Sequence, residues 1–106
     1  MRKLTLMVFV GALLQAQDAD NGKKLYTTVG CYECHGRVGQ GGGAGPRLAP
    51  RPVPLEALVA YVRHPSGAMP PYTAKLVTDA QLADIHAFLA SIPQPTPVKD
   101  IPLLNQ

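Results

Sequence analysis

The sequence predicts an all-α domain of three to four short helices joined by long loops. Three observations predict it. Apolar residues recur at three- and four-residue spacing in three separate segments, and glycine or proline closes each one. No alternation of strand-like and helix-like segments runs along the chain. Eleven prolines and ten glycines in 106 residues place much of the remainder in loops. This length allows one small domain with little area to bury. With no tryptophan and 6% aromatic residues, such a chain needs a staple beside its core.

The first sixteen residues read as a secretory signal. Arg2 and Lys3 form the charged start, Leu4 to Leu14 the apolar stretch, and Leu14-Gln15-Ala16 the cleavage site. Eleven residues are too few for a membrane span of roughly 20, so stable membrane insertion is not expected. The expectation is export to the periplasm with cleavage near Ala16. That leaves a domain over 17–92 and a proline-rich tail over 93–106. After cleavage, eight basic residues stand against seven acidic ones, a net of +1. Neither a basic stripe nor interleaved aromatics are present, which argues against nucleic-acid binding.

Asp18 to about Val29 reads as the first helix, capped by Asp20 or Asn21. Leu25, Tyr26 and Val29 form its apolar stripe, with Gly22 one turn before Tyr26. Glycine inside a helix costs about 1 kcal/mol relative to alanine, so Gly22 needs a packing reason. Gly30 ends the helix.

Next comes Cys31-Tyr32-Glu33-Cys34-His35. Two thiols three positions apart, followed at once by a histidine, have the spacing for covalent attachment of a c-type haem. Cys31 and Cys34 can each add across one vinyl group of the porphyrin, and His35 is placed to send an imidazole nitrogen to the iron. A disulfide, a thioredoxin-type pair or half a zinc site are the alternatives. There is no second cysteine pair, and the other two histidines, His64 and His86, lack ligand-pair spacing, which argues against zinc. The missing strand–helix alternation argues against thioredoxin.

Gly36 to Gly45 holds six glycines in ten residues. Gly39 to Gly43 is expected to be an exposed excursion and Gly45-Pro46 to be ordered. Arg47 and Arg51 are solvated surface residues or partners for haem propionates, which suit a forked guanidinium. After Pro50, Pro52 and Pro54, a helix over Leu55 to Arg63 carries Leu55, Leu58, Val59 and Val62, and Pro65 forces its end near His64.

Ser66-Gly67-Ala68-Met69-Pro70-Pro71-Tyr72 is the second informative stretch. Met69 would be the only methionine left after signal removal, 34 residues beyond His35 in a proline-stiffened loop. A lone methionine is usually core filler, but this placement favours a sixth iron ligand. Tyr61 or Tyr72 could donate a hydrogen bond toward its sulfur. His64 and His86 are the weaker competitors for the iron. Thr78-Asp79-Ala80-Gln81 matches a capping box. It opens a last helix whose stripe is Leu82, Ile85, Phe88, Leu89 and Ile92, stopped by Pro93. Beyond it, an extended tail is expected to lie on the body through Ile101, Leu103 and Leu104.

On Gly22, Tyr26, the Cys31–His35 motif, Gly45-Pro46, Leu48, Met69 and Phe88, residues 20 to 92 resemble a class I (mitochondrial-type) small monohaem c-type cytochrome. The resemblance implies the cytochrome c fold, with short helices and loops wrapped around one covalent haem c. It implies that the Pro46 carbonyl accepts the other ring N–H of His35, and that Leu48 packs against the porphyrin. It also implies that Gly22 and Tyr26 meet the Phe88 helix in a steep crossing. Family members receive their haem outside the cytoplasm.

The function expected is one-electron transfer at a haem ligated by His35 and Met69, with no enzymatic turnover. Partners would be an exported dehydrogenase, a terminal oxidase or another cytochrome. A dedicated haem subunit of an exported dehydrogenase is the nearest alternative. A haem sensor or enzyme with an open iron position is a more distant one.

Overall fold

A computed structural model describes residues 17–105; the segment read above as a secretory signal lies outside the described residues. Four α-helices follow in order: α1 (Ala19–Thr28), α2 (Cys31–His35), α3 (Leu55–Arg63) and α4 (Asp79–Ser91). Two short 3-10 turns, Val98–Asp100 and Pro102–Leu104, close the chain. No strand is present among the described residues, which agrees with the all-α expectation.

Helix α1 has nearly the expected span, but a different cap. Its cap is Asp18, whose side chain accepts from Asn21 N at 3.0 Å, and not Asp20 or Asn21. The Asn21 side chain is used elsewhere: its Nδ2 donates to Asp84 Oδ2 at 2.9 Å, while Asp18 N donates to Asp84 Oδ1 at 2.8 Å. One carboxylate on α4 thus ties down the start of α1. Beside this tie the helices cross closely, because a Cβ on Gly22 would overlap the Asp84 carbonyl. That is the packing reason for a glycine in a helix. Tyr26 is fully buried one turn later, its ring 5.4 Å from that of Phe88 and tilted by 58°. Tilted aromatic pairs add about 0.5–1.5 kcal/mol beyond the area they bury.

Gly30, at φ +88°, turns the chain from α1 directly into α2. This one-turn helix was not anticipated, since five residues cannot display a 3.6-residue period. Helix α3 has the predicted bounds and buries Leu58 and Val62. At the start of α4 the capping box is complete. Gln81 N donates to Thr78 Oγ1 at 3.1 Å, and Thr78 N donates to Gln81 Oε1 at 2.9 Å. Leu82, Ile85, Phe88 and Leu89 are buried on α4, and Ile92 packs at their edge. His86, just off that face, bonds through Nε2 to Val53 O at 2.8 Å. It therefore pins the proline-rich segment before α3.

Two loop expectations change. Gly39 is buried, its carbonyl accepts from Leu48 N and Ala49 N, and a Cβ on it would sit 2.8 Å from Leu89. Within the 39–43 stretch only Gly42 and Gly43 have open space around them. The tail is not extended throughout, because Asn105 Nδ2 donates to Val98 O and Ile101 O and gathers it into its two turns. Ile101 is half-buried, but Leu103 and Leu104 are exposed and do not lie on the body. Among the described residues no helix is long and apolar enough to cross a membrane.

Candidate functional site

Helix α2 supplies what the linear motif left open. Cys31, Cys34 and His35 stand at positions i, i+3 and i+4 of one helical turn, so their side chains leave from the same face. Both cysteines are free thiols. Cys31 is half-buried against the core and Cys34 is exposed. Burial pushes the Cys31 thiol up to about 11.

His35 is buried, at 8% exposure. Its Nδ1 lies 2.8 Å from Pro46 O. A carbonyl can only accept, so Nδ1 carries a proton, and a lone pair for a metal can come only from Nε2. The approach depends on Gly45. A Cβ there would stand 2.9 Å from both His35 Nδ1 and Cys34 O. Further bonds hold this loop against the helix: Gly41 N donates to His35 O at 2.8 Å, and Gly42 N to Gly45 O at 2.9 Å. From the other side the Tyr26 hydroxyl donates to Gly36 O at 2.6 Å. Burial, reinforced by the neighbouring Cys31, raises the Tyr26 hydroxyl to about 12, so it stays a donor. Leu48 is half-buried and packs against the core.

Met69 is half-buried and also packs against the core. It lies in the irregular segment between α3 and α4. Upstream, the Tyr61 hydroxyl is 3.2 Å from Ser66 Oγ and donates to Ser66 O at 3.3 Å. Downstream, the Tyr72 hydroxyl donates to Val29 O at 3.1 Å. The structure therefore directs both hydroxyls to other acceptors and not to the Met69 sulfur. Arg47 is exposed and donates Nε to Gln40 O at 3.4 Å, and Arg51 is exposed as well. Neither guanidinium pairs with a carboxylate among the described residues. His64 is exposed at the end of α3.

Sequence reasoning missed Arg63, which bonds to Tyr72 O, Val77 O and Asp79 across the loop that carries Met69. A signal was present: Arg63 continues the Leu55–Val59 row of α3 by one more turn, a cation in line with apolar residues.

The donor set and its cradle fit a covalently held haem. The family model described as cytochrome c oxidase, cbb3-type, subunit III matches residues 17–89. The chain belongs to this family. It is also 33% identical, over 90 residues, to the cytochrome c subunit of 4-cresol dehydrogenase (hydroxylating) from Pseudomonas putida. That match covers 85% of this chain and 76% of the relative. No solved structure matches the chain.

The protein is a class I-like monohaem c-type cytochrome that transfers electrons at a covalently bound haem c. Cys31, Cys34 and His35 of this cytochrome fit the attachment motif, and the protein exchanges electrons with redox partner proteins.

Proposed function

We propose that this cytochrome is the electron-accepting haem subunit of an exported dehydrogenase, working in the periplasm with His35 and Met69 as axial iron ligands. The relative that serves as the cytochrome c subunit of a dehydrogenase supports the choice of a dedicated subunit over a free carrier. The ligand assignment rests on the 2.8 Å bond between His35 Nδ1 and Pro46 O, which leaves Nε2 available to a metal.

The haem supplies a reversible ferric–ferrous couple, and methionine ligation raises its potential. The chain's own contribution is positional. The Pro46 carbonyl fixes the His35 ring and strengthens it as a donor. Met69, on a loop stiffened by Pro70 and Pro71, would supply the second protein ligand. Two protein ligands leave no coordination position for substrate, so in this reading the subunit carries electrons and turns over no substrate itself.

Two measurements test the reading. The tagged holoprotein, isolated from the periplasm, should bring down a flavin, molybdenum or quinone dehydrogenase whose substrate then reduces the haem. Recovery only as a lone monomer would favour a free carrier. The ferric protein should show a weak near-infrared band that Met69→Ala abolishes while the haem is retained. A high-spin spectrum with ready carbon monoxide binding in the parent would point to an open iron site instead.

A further inference from the structure

We infer that Arg63 is the positioning residue for Met69, holding the ligand loop in place through a three-way guanidinium clamp. The inference rests on Met69 being an iron ligand. Fifteen residues of irregular chain separate α3 from α4, and Met69 sits among them. Left free, such a segment gives up backbone entropy for every residue that ligation must order. A ligand on it stays bound only if the segment is ordered beforehand.

The ordering bonds converge on Arg63. Its Nη1 donates to Tyr72 O at 3.0 Å and to Val77 O at 2.8 Å, and its Nη2 donates to Asp79 Oδ1 at 2.6 Å. The Arg63 side chain is 16% exposed; its bonds to Tyr72 O and Val77 O are partly buried, while the bond to Asp79, whose side chain is 76% exposed, faces solvent. Tyr72, three residues after Met69, is therefore gripped on both sides of its backbone. Its N–H donates to Val62 O at 2.7 Å, and its carbonyl receives Arg63. Pro70 and Pro71, which fix their own φ angles, transmit that grip back to Met69. Through Val77 and Asp79 the same guanidinium ties the far end of the loop to the start of α4. Val77 itself is 1% exposed, a fixed point in the core.

Lysine could not replace this. An ammonium is a point charge, whereas the planar fork reaches several acceptors in set directions at once. The clamp acts at a distance and touches neither the sulfur nor the iron. Its effect is to make the Met69-on arrangement the populated one.

Competition with imidazole tests this. Added to the ferric holoprotein, imidazole displaces a methionine ligand, and the near-infrared band reports the displacement. Arg63→Gln should bind imidazole roughly tenfold more tightly than the parent, because less ordering has to be undone. Arg63→Lys should fall between them, and it carries the test if the glutamine variant does not fold. Asp84→Ala, which breaks the α1–α4 tie away from the loop, should leave imidazole affinity unchanged. Parental affinity in both Arg63 variants overturns the inference, as does an equal gain in Asp84→Ala. Absence of the band from the parent removes the Met69 assignment, and Arg63's role with it. A band that is present but insensitive to Arg63 removes only the clamp.

Discussion

At the residue scale, the identity of the Pro46 backbone atom facing His35 determines the chemistry of the ring. A carbonyl at 2.8 Å from Nδ1 fixes one tautomer, and Gly45 allows that carbonyl to approach. Gly45→Ala would press a Cβ against His35 Nδ1 and Cys34 O, an overpacking that costs about 1–3 kcal/mol. Haem content per polypeptide should fall, as read from the ratio of Soret to protein absorbance. Tyr26→Phe is a gentler test on the other side of the motif. It strips Gly36 O of its 2.6 Å donor and should cost about 1–3 kcal/mol, the penalty of an unmet buried acceptor. Urea denaturation measures it. The His35–Pro46 bond was legible in the sequence because motif spacing and one resemblance sufficed to place both partners. Arg63 was not, because its role lies in acceptors 9 to 16 residues away that only the folded loop brings together.

At the element scale, helices whose ends carry their own chemistry were readable and the others were not. The bounds of α4 follow from Thr78, Gln81 and Pro93, and those of α3 from its apolar row and Pro65. The cap of α1 was misassigned because Asp18, Asp20 and Asn21 are all acceptable caps. The tertiary tie to Asp84, which settles their roles, leaves no local trace. That tie predicts a pH dependence. Bonds from Asp18 N, and then from Asn21, hold the Asp84 carboxyl below the usual carboxylate range. A folded pKa below the unfolded one adds stability that is fully present above the unfolded value, and it is lost as pH falls through the folded value. Thermal midpoints of the parent and Asp84→Asn should therefore differ most near neutrality and converge in acid. Gly22→Ala is the harsher test of the same crossing. It should destabilise by at least about 1–3 kcal/mol, visible as a lower urea midpoint.

At the scale of the whole molecule, nine buried apolar residues make up the core among the described ones, a small inventory for a domain of this length. Haem has to complete it. Replacing both Cys31 and Cys34 by alanine removes the anchor. The thermal midpoint should fall by more than about 10 °C, the shift that roughly 2–3 kcal/mol produces in a chain of this size. Calorimetry of the two forms checks it. The helical character was legible from periodicity, and the cytochrome c fold from the resemblance carried by the haem motif and the residues around it. The 3-10 turns of the tail were not, since Asn105 creates them through contacts with Val98 and Ile101.

The tie between α1 and α4 joins positions more than sixty residues apart. Contacts of such long sequence separation form late, because the chain between them must first be closed into a loop. Until Asp84 and Phe88 reach their places, Asp18, Asn21 and Tyr26 have no partner on α4. The first helix, which leads straight into the haem motif, therefore gains its anchor only as the last helix docks, and the two ends of the domain are fastened in a single event.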